Sequence, residues 1–188
     1  MRIKQLSPRL AKVAEFVRSK TSVCDVGTDH AELPVFLCVE HDNAPIYASD
    51  VNVGPLQSAK AEIDRRRLSE RITLIQSDGL QSIPTCDDVV IAGMGGETIA
   101  EIIESMPERF LNNNLRLVLQ PMTKVQTLRE RLERAGFEII TENTVTEAHR
   151  KYTIMYCKVG ASIARPLERA TNSRPYRANQ HICDINEN

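Results

Sequence analysis

The chain has 188 residues, enough for one domain with an ordinary core, and its 41% hydrophobic and 26% charged content is that of a soluble globular protein. With 4% aromatics and no Trp, a surface that grips single strands by stacking on many rings is not expected. A net charge of -1 gives no general electrostatic grip on phosphates and leaves only local basic clusters, at Arg65-Arg66-Arg67 and along Lys124, Arg129, Arg131 and Arg134, which as solvated helix faces need no partner.

Ser7 to about residue 19 reads as a helix, with Ser7 as cap, Pro8 at the first helical position and a stripe of Leu10, Val13, Ala14 and Val17. Residues 22–26 are the first strand. They run into Asp25-Val26-Gly27-Thr28-Asp29-His30, a turn that opens a helix from Ala31 to Val39. Gly27 lets the backbone turn sharply and approach a ligand closely. A single glycine flanked by acids is not the G-x-G-x-x-G of a dinucleotide site. It suits a ligand with an ammonium group and ribose hydroxyls, although a plain strand-to-helix turn with a capping Asp fits the same residues.

Ala44 to Ser49 is a second strand ending in Asp50 and Val51. An acid there, about 20 residues past the glycine turn, stands where this architecture holds ribose hydroxyls. A helix from Gly54-Pro55 to about Arg67 follows. Ile72 to Gln76 is a third strand, ending in Ser77-Asp78-Gly79; Asp78 can accept from an adenine amino group or simply make an Asp-Gly turn. Asp88 to Ala92 is an apolar, buried strand that runs into Gly93-Met94-Gly95-Gly96 and a helix from Glu97 to Ser105. Leu115 to Leu119 is a fifth strand, ending in Gln120-Pro121. Thr123 to Ala135 is a helix closed by Gly136. Phe137 to Thr146 and Lys151 to Val159 are strands around a short polar turn, so they pair antiparallel.

The body is thus read as five β-α repeats and a closing hairpin: an α/β fold with a mostly parallel, Rossmann-like sheet and helices on both faces. Residues 1–160 form the domain, and 161–188, rich in Pro, Asn, Arg and Ser, are expected to be a poorly ordered tail. Acids or glycines end strands one to four along one sheet edge, which points to a nucleoside-type cofactor. Five cysteines, an odd number with no C-x-x-C pair, read as reduced thiols and give no metal site. With neither a signal peptide nor a membrane-length apolar run in view, a cytoplasmic protein without membrane contact is expected.

The order of elements and the closing hairpin resemble the class I S-adenosylmethionine-dependent methyltransferases. More closely, the chain resembles the bacterial tRNA adenine-22 N1-methyltransferase family, TrmK. The residues that carry this are Leu6-Ser7-Pro8-Arg9-Leu10, Asp25-Val26-Gly27-Thr28-Asp29-His30-Ala31 with Leu33-Pro34, Gly54-Pro55 with Ser58-Ala59-Lys60, Asp78-Gly79-Leu80, Ile91-Ala92-Gly93-Met94-Gly95-Gly96 and Leu119-Gln120-Pro121. They run in the family's order over roughly residues 5 to 158.

The resemblance implies S-adenosyl-L-methionine as cofactor and tRNA as partner. It implies contacts to the cofactor from Asp25, Gly27, Asp50, Val51, Asp78 and Gly79, with Gly93 and Met94 on its far side and Arg9 on the methionine carboxylate. Asp29 and His30 are the candidates beside the reacting methyl group, and Gln120 the candidate at the target base edge. The family usually carries Tyr at the position of Glu32, facing the cofactor pocket, and a helical C-terminal domain whose heptad pattern is not found here. Other readings stay open: the same fold acting on another RNA or a small molecule, or a cofactor-binding protein without turnover. A nicotinamide dehydrogenase is disfavoured by the single glycine and the closing hairpin.

Overall fold

The computed structural model describes residues 5–112 and 114–161; apart from Ala161, the expected tail lies outside them. The elements in chain order are α1 (Pro8–Phe16), β1 (Val23–Val26), α2 (Glu32–Glu40), β2 (Ile46–Asp50), α3 (Val53–Arg65), β3 (Ile72–Gln76), β4 (Asp88–Gly95), α4 (Gly96–Glu104), β5 (Arg116–Thr123), α5 (Val125–Arg134), β6 (Phe137–Glu147) and β7 (Arg150–Val159). One sheet holds all seven strands in the order β3-β2-β1-β4-β5-β7-β6. Strands β1 to β5 pair parallel, and β7 runs antiparallel to both β5 and β6. The chain order reverses between β1 and β4, the switch point where open α/β sheets leave a crevice beyond the strand ends.

Alternation along the buried strands assigns each face its own core. Val23 of β1 and Val90 of β4 join α1, α2 and α3 through Val13, Leu37 and Ile63. Cys24, Val26, Val89 and Ile91 point the other way, onto Ile99 and Ile103 of α4 and Leu128 and Leu132 of α5. No helix among the described residues is long and apolar enough to cross a membrane.

Three local readings change. The β-α unit is not repeated five times, because residues 77–87 between β3 and β4 form turns. Leu80 and Ile83 still plug the core there, and Arg109 donates through Nη2 to the carbonyls of Leu80, Gln81 and Ile83 at 3.1, 2.9 and 2.8 Å. Those carbonyls, which a helix would have satisfied internally, are thus met by one side chain. Helix α1 stops at Phe16, because Val17 turns extended and Arg18 is taken by Asp88 at the start of β4. Helix α5 starts two residues late, because Thr123 still belongs to β5 and Lys124 breaks the chain at a φ of 54°.

Candidate active site

The turn after β1 is held to β2: the N–H groups of Gly27 and Thr28 both donate to the Ser49 carbonyl, at 2.8 and 2.9 Å. That bend places Gly27 at a φ of +78°, in the left-handed region that glycine tolerates. A Cβ there would lie 2.2 Å from Cε of Met94, so the side chain from the end of β4 reaches over the bare turn.

Beside this contact a cavity of about 410 Å³ opens at the carboxyl end of the sheet. Val26 and Gly27 line it from β1, Asp50 and Val51 from β2, and Ser77, Asp78 and Gly79 from the end of β3. Met94 and the Thr98, Glu101, Ile102 and Ser105 face of α4 close the opposite side. Asp50 accepts from the Asn52 N–H at 2.8 Å through Oδ1, and among the described residues Oδ2 has no hydrogen bond. Gln76 donates to the Val51 carbonyl at 3.0 Å and steadies the strip beside it.

Of the nine residues expected around the cofactor, the structure therefore brings six together: Gly27, Asp50, Val51, Asp78, Gly79 and Met94. Arg9, Asp25 and Gly93 do not line this cavity. Asp25 lies beneath the turn, 6% exposed. Burial pushes its carboxyl up to about 6; the neighbouring Thr28 side chain opposes the rise and the Asp50 carboxylate adds to it.

Gly93 and Arg9 belong to a second cluster. A register shift between β4 and β5 at Ala92 and Met94 leaves the Gly93 N–H outside the strand ladder. Gln120 replaces the missing partner: its Oε1 accepts from Gly93 N at 3.1 Å and from Arg9 Nη1 at 2.5 Å. Its amide donates to the Pro121 carbonyl at 2.9 Å, and the side chain is fully buried. This corrects the expectation that Gln120 meets the target base, since its groups are committed inside the protein. Arg9 lies over Gly93, with Nη1 3.7 Å from where a Cβ would stand.

Asp29 and His30 are exposed, 3.6 Å apart, on the turn just past Gly27. Neither lines the 410 Å³ cavity. His30 and Glu32 instead border a neighbouring groove between α2 and α3, so Glu32 does not face the cofactor cavity as the resemblance implied. The basic residues of α3 are also engaged: Glu62 holds Arg65 at 2.6 Å and binds Arg66 as well. Sequence reading missed Ser77 and the α4 face. The signal for that face was there, because positions 98, 101, 102 and 105 share one side of a helix that follows a glycine run.

A protein family model described as a methyltransferase domain matches residues 6–155. The curated tRNA (adenine(22)-N(1))-methyltransferase of Bacillus subtilis is 34% identical over 158 residues, which is 83% of this chain and 66% of the relative. The crystal structure of the B. subtilis M1A22 tRNA methyltransferase TrmK superposes with a TM-score of 0.79 at 34% identity, covering 85% of this chain and 68% of that one. This chain belongs to the TrmK family. A relative from another organism, Streptococcus pneumoniae Sp1610 in complex with S-adenosyl-L-methionine, gives a TM-score of 0.77 at 36% identity, over 83% of this chain and 74% of its own. The chain spans about two thirds of the length of the B. subtilis relative.

Proposed function

We propose that this TrmK-family chain is an S-adenosylmethionine-dependent methyltransferase that acts on N1 of adenine 22 in tRNA, in the cytoplasm. The observation that carries the reading is the cavity at the switch point, where an acid with one oxygen unbonded among the described residues and a bare glycine turn sit at neighbouring strand ends in a TrmK-family sheet. The residues fit the cofactor. The volume of about 410 Å³ lies within the roughly 300–1,000 Å³ of small-molecule sites. Asp50 Oδ2 can accept from ribose hydroxyls, and Asp78 can accept from an exocyclic amino group. Val26, Met94 and Ile102 supply apolar walls. Arg9, over Gly93, is the cation for the methionine carboxylate.

Bound there, the cofactor supplies an electrophilic methyl group on a sulfonium. The protein's part is mostly placement, because adenine N1 offers an in-plane lone pair and needs no strong base. Met94 and Gly27 pack the wall beside the reacting end. Gln120 fixes Gly93 and Arg9 and acts as a positioning residue. Asp29, exposed on the turn after Gly27, is the carboxylate assigned to offset the positive charge that grows on the base. N1 lies on the Watson–Crick edge, so the target adenine must leave its pair first.

The test is transfer of labelled methyl from S-adenosylmethionine to bulk tRNA by the purified chain, with the modified base mapped as a reverse-transcription stop. A stop at adenine 22 is the expected result. Cofactor binding with no labelled tRNA would refute the substrate assignment.

A further inference from the structure

The β6–β7 hairpin is longer than the sheet requires. The last rung that β7 shares with β5 is Leu119↔Met155. Beyond it, β6 and β7 go on pairing with each other from Asn143↔Ile154 to Glu147↔Arg150, five rungs or about 17 Å at ~3.4 Å each. Because β7 runs antiparallel to β5, this stretch runs alongside the end of β5 at Thr123 and carries the tip past the level of Val26, the end of β1 at the edge that holds the cofactor cavity.

The arm is anchored rather than loose. Glu147 accepts from the Arg9 N–H at 2.8 Å and faces the Arg9 guanidinium at 3.9 Å. That guanidinium stacks 5.6 Å from the Tyr152 ring centroid and also reaches Gln120 beside Gly93. The tip is therefore tied through Arg9 to the wall of the site.

Its charge is unspent. Most of the other clustered basic residues are occupied: Arg65 and Arg66 by Glu62, Arg129 by Glu142, Arg131 by Glu104. The carboxylate on the arm itself, Glu147, is held by Arg9. Arg150 and Lys151, both exposed, have no ion pair among the described residues, and exposed Lys124 stands at the end of β5 on the same edge. The cofactor half of that edge is acidic, with Asp50, Asp78 and Glu101 around the cavity. One end of the crevice suits a cationic cofactor and the other a polyanion.

Resting on the tRNA reading above, we infer that the tip of the β6–β7 hairpin is an RNA-docking arm, in which Arg150 and Lys151 contact backbone phosphates next to the target nucleotide. Such contacts set register and affinity without reading base identity.

The test compares the wild-type chain with an Arg150→Glu, Lys151→Glu variant, and with Lys20→Glu as a control at an exposed site away from the arm. Each is measured for tRNA binding over a salt series, for methyl transfer against tRNA concentration and for S-adenosylmethionine affinity. The double variant should lose affinity for tRNA and raise the KM for tRNA roughly tenfold or more, and its log-affinity against log-salt slope should flatten by about 2, one for each contact. Its cofactor affinity should match wild type, which shows that the site is intact, and Lys20→Glu should behave as wild type. An active wild type with an unchanged KM and slope in the double variant overturns the arm alone. A wild type that binds cofactor but neither binds nor methylates tRNA overturns the substrate reading, and the arm with it.

Discussion

Replacing Gly27 by alanine should damage the site in two separable ways. At a φ of +78° an L-residue carries a backbone cost of ~1–2 kcal/mol. The new methyl would also sit 2.2 Å from Met94 Cε, against a contact distance of about 3.5–4.0 Å, so the thioether end must swing by more than about 1 Å. Methionine is flexible enough to move, at ~0.5–1.5 kcal/mol if it leaves a rotamer well. Together these come to ~1.5–3.5 kcal/mol, or roughly 3–14 °C in melting temperature for a domain of this size. Met94 lines the cofactor cavity, so the displaced group takes space from the ligand. Calorimetry should therefore show S-adenosylmethionine affinity down tenfold or more in Gly27→Ala, and partly regained in Gly27→Ala with Met94→Ala, with a coupling of about 1 kcal/mol. The melting temperature should not recover, because the backbone cost remains. A double variant that binds no better than Gly27→Ala would refute the steric account.

Asp50→Ala should weaken cofactor binding by ~1–3 kcal/mol while leaving the fold unchanged, and unaltered affinity would remove Asp50 from the ribose role. Asp29→Asn should lower kcat by an order of 10–10² with little change in cofactor affinity, and an unchanged kcat would clear Asp29 of the charge-offsetting role. Asp25 gives stability a pH dependence: its folded pKa of about 6 stands above the ordinary 3.8, so between these values the folded state keeps a proton that the unfolded chain has released. Unfolding free energy therefore falls as pH rises through that window, by about 3 kcal/mol in all, with no penalty below it and the full penalty above it. Asp25→Asn should then gain about that much relative to wild type between pH 4 and pH 7 in denaturant unfolding, and equal differences at both pH values would rule the effect out. Arg18 meets the fully buried Asp88 carboxylate through its backbone N–H and its Nε, both at 2.7 Å. Arg18→Met should cost about 3–5 kcal/mol, and adding Asp88→Asn should return most of it.

The sheet was legible because its signals are local. Short apolar runs end in acids or glycines, and Ser7 caps the leading helix α1 by accepting from the Leu10 N–H. The antiparallel hairpin followed from the absence of a helix between β6 and β7, whereas the strand order is read from the structure alone. The segment before β4 was misread because its carbonyls are satisfied from Arg109, a residue 26–29 positions away. Gln120 was misread for a similar reason. From the sequence it is a polar residue at a strand end, which reads as a ligand contact. Only the register shift opposite it shows that an orphaned N–H at Gly93 claims its carbonyl.

The same distinction explains how the two halves of the edge divide their work. Over β1, β2 and β3, each contribution to the cavity comes from the end of a strand: Gly27, Asp50, then Ser77 to Gly79. Gly27, Asp50, Asp78 and Gly79 follow from parallel pairing, so one sequence stretch at a time was enough to find them, although Ser77 beside Asp78 was passed over. On the other side, a cluster is assembled from Gly93 of β4, Gln120 of β5, Arg9 of α1 and Glu147 of β6, which meet across 27, 111 and 138 positions of chain. Each of those four has an ordinary local explanation, as a turn glycine, a strand-end amide, a surface arginine and a hairpin acid. Their joint arrangement ties α1, β4, β5 and β6 together on this side of the edge. Removing Glu147 should leave the strand-end contacts to ribose in place and loosen the hairpin tip that Arg9 holds.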